Sequence, residues 1–304
     1  MVVLCQILVD TPVNGAYRPG DIIDGTVKYY LDKPTRFEAI NVSLIGEGLA
    51  SWPVSDDSCI CDKQEYVSLN KNILQAYRNP VLDQGCYSSA FTFVIPENIP
   101  STFRHATCDI TYKILVNFQT KMLYSSCKMF EIEIPVYGTI SPDLPEPMTF
   151  QLKKDIFTLG PGPNEVNILV EIKRTFISSE ENINLFLLVN NNSNVKITTI
   201  KTELVRYFSL VMEKSKKPFD IEPLEETKNR TDSVNKFSMV RMSCVIPTSS
   251  DLYSIQHTRR VLIEYRVRVT VKFPFPHSHM FLEIPVVIGK GDDVRMYRKI
   301  QDCY

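Results

Sequence analysis

Cysteine is the residue type that could bring metal binding, disulfide formation or redox chemistry to this sequence. Its eight cysteines lie far apart, and the one close pair, Cys59 and Cys61, is separated by a single residue. Structural zinc sites and redox motifs commonly separate paired cysteines by two residues or more. We therefore expect reduced thiols of a cytosolic protein, with no bound metal and no cofactor.

Histidines and carboxylates are the next candidates for catalysis. His277 and His279 are two residues apart, so a strand would point both side chains to one side, as a metal site needs. The surrounding "FPFPHSHMF" instead predicts a hairpin tip, and no third ligand is evident. Glu131 and Glu133 alternate with apolar residues, which indicates the solvated face of a strand. Since no nucleophile elbow or phosphate-binding loop is present either, we expect no enzyme activity.

Basic side chains line up in "RRVLIEYRVRVTVKF". Apolar residues alternate there with Arg266, Arg268 and Lys272, and same-face neighbours on a strand lie about 6.6 Å apart. Such a positive row could bind acidic or phosphorylated peptides. The alternative, which common exposed charge on sheets favours, is a solvated strand face that pairs with acids on a neighbouring strand, and both interpretations stay open.

Three further cations lie in the first half of the chain. Arg18 stands in the turn sequence "YRPG", Lys28 lies on the polar face of the strand that follows, and Lys113 belongs to a similar surface. We treat all three as candidates for binding cargo or phosphate. Each alone would also fit ordinary surface charge, because a single cation carries little specificity.

The elements that must position these side chains are strands. After Asp21, Ile23, Val27 and Leu31 fall on one face, and similar alternating runs recur along the chain between Pro, Gly, Asn and Ser clusters. Many short strands with no long helical pattern predict an all-β protein of antiparallel, immunoglobulin-like β-sandwiches. The stretch 65–77 is ambiguous between a short helix and an irregular strand.

Two parts of the chain repeat each other. "ITYKILVNF" and "MFEIEIPVYG" in the first half resemble "IEYRVRVTV" and "MFLEIPVVIG" about 150 residues later, in the same order. The pattern predicts a first β-sandwich at 1–138, a Pro-rich linker at 139–148, a second β-sandwich at 149–289 and a short charged tail at 290–304.

Composition limits the class of partner. The chain has 304 residues, with 34 basic and 35 acidic side chains and 44% apolar residues, which fits a globular protein and not a nucleic-acid binder. No apolar run approaches the roughly 20 residues that a transmembrane helix needs. The sequons at Asn41, Asn191 and Asn229 carry little weight, because no secretory signal precedes them.

Several of these segments together resemble the arrestin-domain-containing, or alpha-arrestin, family. They are "YRPGDIIDGTV", "INVSLIGEGLASW" and "GCYSSAFTFVIPENIPSTF" in the first half, and "IEYRVRVTV" and "LEIPVVIG" in the second. The resemblance spans about residues 3–289 and implies the arrestin fold of two tandem β-sandwiches. It also implies a cytoplasmic adaptor that binds cytoplasmic segments of membrane receptors or transporters at the plasma membrane or endosomes, and directs their endocytosis, ubiquitination or degradation.

This chain departs from the family pattern in ways that leave alternatives open. It contains no PPxY motif, so a HECT-type ubiquitin ligase would need a tail that is absent here. A related family member binds thioredoxin through a cysteine of its second domain, which makes Cys244 a candidate thiol for a redox regulator. A retromer subunit also has an arrestin-like fold, so a subunit of an endosomal sorting coat is a further alternative.

Overall fold

The computed structural model describes residues 2–12, 15–55, 58–77, 79–106, 108–120, 127–142, 144, 146–157, 163–212, 215–258 and 261–290. Within these residues the regular structure consists of β-strands and two short 3-10 helices. The predicted all-β class is confirmed. In the described part of the chain, no helix has the length and apolar character needed to cross a membrane.

The first domain is built from two packed sheets. Its strands are β1 Val3–Val9, β2 Ile22–Leu31, β3 Thr35–Ser55, β4 Ser58–Asn72, β5 Val81–Leu82, β6 Gly85–Val94, β7 Phe103–His105, β8 Cys108–Thr120 and β9 Lys128–Ile134, with a 3-10 helix at Ile73–Ala76. One sheet has the strand order β1-β2-β6. The other has the order β4-β3-β8-β7, with β5 paired to β3 and β9 paired to β8.

The second domain repeats this two-sheet architecture. Its strands are β10 Met148–Asp155, β11 Glu165–Ile172, β12 Phe176–Ser178, β13 Ile183–Asn192, β14 Thr199–Met212, β15 Ser215–Pro223, β16 Asn229–Arg230, β17 Ser238–Ile246, β18 Val261–Lys272 and β19 Met280–Gly289, with a 3-10 helix at Glu225–Thr227. One sheet has the order β10-β11-β13-β17. The other has the order β12-β19-β18-β14-β15, with β16 paired to β14.

The core of each sandwich follows the alternation in the sequence. In β2 the side chains of Ile23, Val27, Tyr29 and Leu31 are buried, while Lys28 between them is exposed. In β18 every second residue from Val261 to Val271 is buried, and the intervening residues are half-buried. Burial of one face of each strand is the main stabilising term, because apolar area removed from water contributes about 25 cal/mol per Å².

The internal repeat corresponds to one three-strand arrangement that occurs twice. In the first domain β8 lies between β3 and β9, and in the second β18 lies between β14 and β19. The repeated strands place Tyr112 and Tyr265 in the cores of their domains. The Tyr112 hydroxyl donates to the Pro100 carbonyl at 2.7 Å, so this buried polar group is satisfied.

Three local features refine the predictions from sequence. The ambiguous stretch 65–77 continues as β4 to Asn72, whose side-chain oxygen accepts a hydrogen bond from the Leu74 N–H at 3.0 Å and begins the 3-10 helix. The short strand β12 pairs parallel to β19 within otherwise antiparallel sheets.

Asn191 is fully buried and its amide donates to the Val195 and Asn235 carbonyls, so this sequon is closed to glycosylation in the folded chain.

Contacts within the chain group the described residues into two units. Residues up to 139, with those at 256–258, form the first unit, and those at 140–255 and 261–290 form the second. In the predicted linker, Ile140 packs against Phe176 and Val287 of the second domain. The boundaries given from sequence stay predictions, and the structure adds that this segment is docked on the second sandwich.

Candidate functional site

The basic row of the second domain lies on β18 and meets an acid on the neighbouring strand. Arg268 pairs with Glu283 across β18 and β19, and its Nε donates to Glu283 Oε1 at 2.8 Å. Arg266 Nη1 donates to Glu283 Oε2 at 3.2 Å. One carboxylate therefore holds both guanidinium groups.

A tyrosine from β14 completes this cluster. The Tyr207 hydroxyl donates to Glu283 Oε1 at 2.5 Å and accepts from Arg268 Nη2 at 3.0 Å. The Arg266 guanidinium stacks 4.5 Å from the centroid of the Tyr207 ring, a cation–π contact. Burial would raise the pKa of Glu283, but the hydrogen bonds from Tyr207 and Arg268 outweigh it and hold that pKa below its ordinary value.

This geometry limits what the row can bind. Arg266 and Arg268 both form ion pairs with Glu283, as expected if the row pairs with an acid on a neighbouring strand. A phosphorylated peptide would have to compete with the Glu283 carboxylate for these two side chains. Lys272, at the end of β18, is half-buried and has no ion-pair partner among the described residues. A role of these three side chains in cargo binding stays a prediction.

Lys113 forms an ion pair within the first domain, and the backbone of Arg18 is hydrogen-bonded within its turn. Lys113 Nζ lies 2.9 Å from Glu131 Oε2 across β8 and β9. Arg18 precedes the Pro19-Gly20 turn, and its backbone N–H donates to Asp21 Oδ2 at 2.7 Å. Gly20 has φ +86°, a left-handed conformation that glycine adopts at little cost, which explains why this turn needs it.

Lys28 lies in a more open position. It is exposed on β2, opposite Gln6 of β1 and Ser88 of β6, so the three polar side chains cross the outer face of the sheet in a row. A shallow depression of about 460 Å³ surrounds this row and is also lined by Leu4 and Tyr30. Within the described residues Lys28 has no ion-pair partner, so its charge is available to a ligand.

Comparison with protein-family models identifies both halves of the chain. The arrestin (or S-antigen) N-terminal domain matches residues 5–136, and the arrestin (or S-antigen) C-terminal domain matches residues 162–291. The chain is an arrestin-like protein. A comparison with curated protein sequences found no match. The predicted fold, two tandem β-sandwiches of the arrestin type, is thus confirmed by sequence comparison and by structure.

The candidate thiol of this arrestin-like protein is enclosed by its sandwich. Cys244 lies on β17 with a 2% exposed side chain, opposite Leu185 of β13. Burial raises the pKa of the Cys244 thiol, against a weaker lowering by the Thr202 hydroxyl. A buried thiol with a raised pKa is a poor nucleophile, so this environment does not favour the redox alternative.

The histidines of the predicted hairpin tip lie in the connection between β18 and β19. His279 Nδ1 accepts a hydrogen bond from the Phe273 N–H at 3.3 Å. Across the described ranges, no three His, Cys, Asp or Glu side chains come together in a group that could hold a metal ion.

Sequence reasoning missed an exposed aromatic surface of the arrestin-like protein, at one end of the second sandwich. Lys154 Nζ donates to Ser278 Oγ at 2.7 Å, which places the end of β10 beside the β18–β19 connection. The phenylalanines near these strand ends and their exposed fractions are Phe275 97%, Phe157 80% and Phe281 62%. We call these three residues the aromatic pole. The sequence signal that could have predicted this surface is the phenylalanine between two prolines in "FPFPHS". A side chain at the tip of a hairpin protrudes from the sandwich and is left exposed to solvent.

Proposed function

We propose that this arrestin-like protein is a divergent member of the alpha-arrestin branch that works as a non-enzymatic adaptor. It binds cytoplasmic segments of membrane receptors or transporters and directs their endocytic trafficking, ubiquitination or degradation. The observation that carries the proposal is the presence of both arrestin domains along one chain. A cytoplasmic location with recruitment to the plasma membrane or endosomes is part of the same proposal.

The surface around Lys28 supports a mode of cargo binding. Strand β1 is an edge of its sheet, and its seven residues carry no charge, so its outer backbone groups can pair with an added peptide strand. A peptide paired with β1 would run beside the row of Gln6, Lys28 and Ser88. An acidic or phosphorylated side chain of the peptide would then meet the Lys28 ammonium, which gives charge selectivity to backbone pairing.

The aromatic pole supports recruitment to membranes. Aromatic side chains on protruding loops partition into the lipid interface, and nearby lysines attract anionic headgroups. Lys154 and Lys272 lie on the strands that end at this pole. The arrangement would hold the adaptor at a bilayer through its second domain.

Two alternatives remain beside the adaptor. A thioredoxin-binding redox regulator would need a reactive thiol, and the burial of Cys244 weakens that candidate. A subunit of an endosomal sorting coat would use the same fold in a stable complex. Gel filtration of the complex from cells separates a coat subunit from a transient adaptor, because the adaptor elutes near the mass of one or two chains and the coat subunit elutes in a larger complex.

Proximity labelling with the full chain in its native cells tests the proposal. We expect membrane receptors or transporters and trafficking factors among the labelled proteins. Labelling of soluble metabolic enzymes alone would contradict the adaptor role.

Pull-down of a labelled membrane protein then tests the site. Lys28→Glu should weaken capture, since it puts a negative charge beside the proposed peptide, whereas Lys71→Glu changes an exposed lysine elsewhere in the same domain and should not. Arg266→Glu with Arg268→Glu tests the second-domain row in the same assay, and unchanged capture would remove that row from the site.

A further inference from the structure

Strand β17 is an open edge of the second sandwich. It ends the sheet β10-β11-β13-β17, and among the described residues no strand pairs with its outer side. Three consecutive side chains, Met239, Val240 and Arg241, are exposed, so both faces of the sheet are accessible at this part of the edge. Farther along the strand Cys244 and Ile246 are buried, and only the outer face is accessible. Its nine residues pair with β13 without a register shift, which leaves a straight ladder of unpaired backbone groups.

This edge lacks the features that usually prevent strand association. Proteins protect edge strands with proline, bulges, short length or several charges. The sequence of β17, "SMVRMSCVI", has no proline and a single charge, Arg241. Its exposed apolar side chains include Met239 at 64% and Val245 at 44%. Such an edge can form backbone hydrogen bonds with another strand.

The order of residues along β17 identifies what kind of strand fits. In an antiparallel pair of two β17 strands that overlap over all nine residues, Met242 lies opposite its own copy. Met239 then lies opposite Val245 and Val240 opposite Cys244, so apolar residues face each other on both sides of the centre. Arg241 lies opposite the uncharged Ser243, and the full overlap brings no like charges together.

Other antiparallel registers are less favourable. Two residues that lie directly opposite each other across the strand pair are on the same face of the sheet. The two strands can therefore shift only to registers in which this remains true. The register centred on Arg241 opposes the two arginines, and the one centred on Ser243 opposes Arg241 and Val245. The register centred on Met242 therefore combines the largest overlap with the best pairing of side chains.

We propose that β17 is a homotypic interface, through which two copies of this chain pair antiparallel about Met242 and join their four-stranded sheets into one of eight strands. The interface is isologous, because each copy contributes the same residues to both halves. It uses residues of the second domain, whereas Lys28 belongs to the first, and it does not depend on the adaptor role.

Charge at position 243 tests the interface, because Ser243 is exposed and can be changed without disturbing the core. Ser243→Asp places a carboxylate opposite Arg241 of the other copy, twice per dimer, and should tighten association. Ser243→Arg creates two like-charge pairs and should weaken it. Two cross-strand pairs change a dissociation constant roughly 2- to 30-fold in each direction. Sedimentation velocity from about 1 to about 100 μM, a range that brackets micromolar association, gives these constants.

Matched variants separate pairing from general effects of charge. Ser88→Asp and Ser88→Arg make the same changes on β6, another edge strand, and should leave association unaltered. Arg241→Asp combined with Ser243→Arg replaces the two like-charge pairs by two opposite-charge pairs and should associate more tightly than Ser243→Arg alone. A monomer at every concentration for all Ser243 variants, or equal shifts by the Ser88 variants, would overturn the proposal.

Cross-linking tests the register separately. Met242→Cys places two thiols opposite each other across the twofold axis, so mild oxidation should give a covalent dimer with a 242–242 link by mass spectrometry. Met239→Cys faces Val245 of the other copy and should give none. A 239–239 link, or no link at either position, would contradict pairing about Met242.

Discussion

At the scale of single residues, burial decides which thiols of this arrestin-like protein can react. Cys61 and Cys86 are exposed, whereas Cys108 and Cys244 are buried. Burial raises the pKa of Cys108 to about 12, and it also raises that of Cys244. Both buried groups therefore remain protonated thiols at neutral pH.

We expect iodoacetamide at pH 8 to modify Cys61 and Cys86 in the native protein and to leave Cys108 and Cys244 unmodified until denaturant is added. Peptide mass spectrometry over time gives the four rates, and the denatured chain is the control for intrinsic reactivity. Modification of Cys244 in the native state as fast as that of Cys86 would revive the redox alternative.

The carboxylate of Glu283 should make stability sensitive to acid. Its pKa is lower in the folded chain than its ordinary value of 4.5, so the unfolded chain takes up a proton first as pH falls. The stabilising contribution is present above pH 4.5 and is lost below it. Denaturant unfolding from pH 7 to pH 3 should show a smaller acid loss for Glu283→Gln than for the wild type. Glu131→Gln, at an exposed ion pair, should unfold like the wild type, and an identical acid loss in Glu283→Gln would refute this role.

At the scale of elements, strand faces could be predicted from sequence because burial follows a period of two. The faces of β2 and β18 are those expected from alternation. The pairing of Arg266 and Arg268 with Glu283 could not be assigned, because it depends on the register between β18 and β19. The aromatic pole was missed for a similar reason, since Phe157 and Phe275 are far apart in sequence and only the fold brings their strand ends together.

The predicted linker also has a structural role that composition did not reveal. Glu146 Oε1 accepts hydrogen bonds from the backbone N–H groups of Thr175 at 2.7 Å and Phe176 at 2.6 Å. These donors lie where β12 begins, so the carboxylate fastens the linker to the second sandwich. Glu146→Ala should lower the free energy of unfolding of that domain by about 1–3 kcal/mol, because two backbone donors lose a charged acceptor.

Urea denaturation followed by a probe in the second domain measures this effect. Glu171→Ala is the matched control, because it removes an exposed carboxylate of β11 that faces solvent. If the two variants had equal stability, the contacts of Glu146 would contribute nothing beyond surface charge.

At the scale of the whole molecule, the two sandwiches share one architecture but expose different surfaces. The first presents an uncharged edge strand, β1, beside Lys28, which suits an extended peptide. The second presents the aromatic pole and the open edge of β17, which suit a bilayer and a second copy of the chain. The duplicated fold therefore supplies a scaffold, and the differences between its surfaces would divide the tasks of the proposed adaptor.

The aromatic pole gives the last prediction. The side chains of Phe275 and Phe157 are 97% and 80% exposed. Burying such a ring in the lipid interface is favourable because it removes apolar area from water. We expect the chain to sediment with vesicles that contain anionic lipid, and Phe275→Ser with Phe157→Ser to lower the bound fraction at least 10-fold, since two lost rings remove roughly 3 kcal/mol. Phe186→Ser changes an exposed ring on the face of the four-stranded sheet, away from the strand ends, and should bind like the wild type. Equal binding by the double variant and the wild type would show that the pole does not face the membrane, and the proposed adaptor would then have to be recruited by cargo alone.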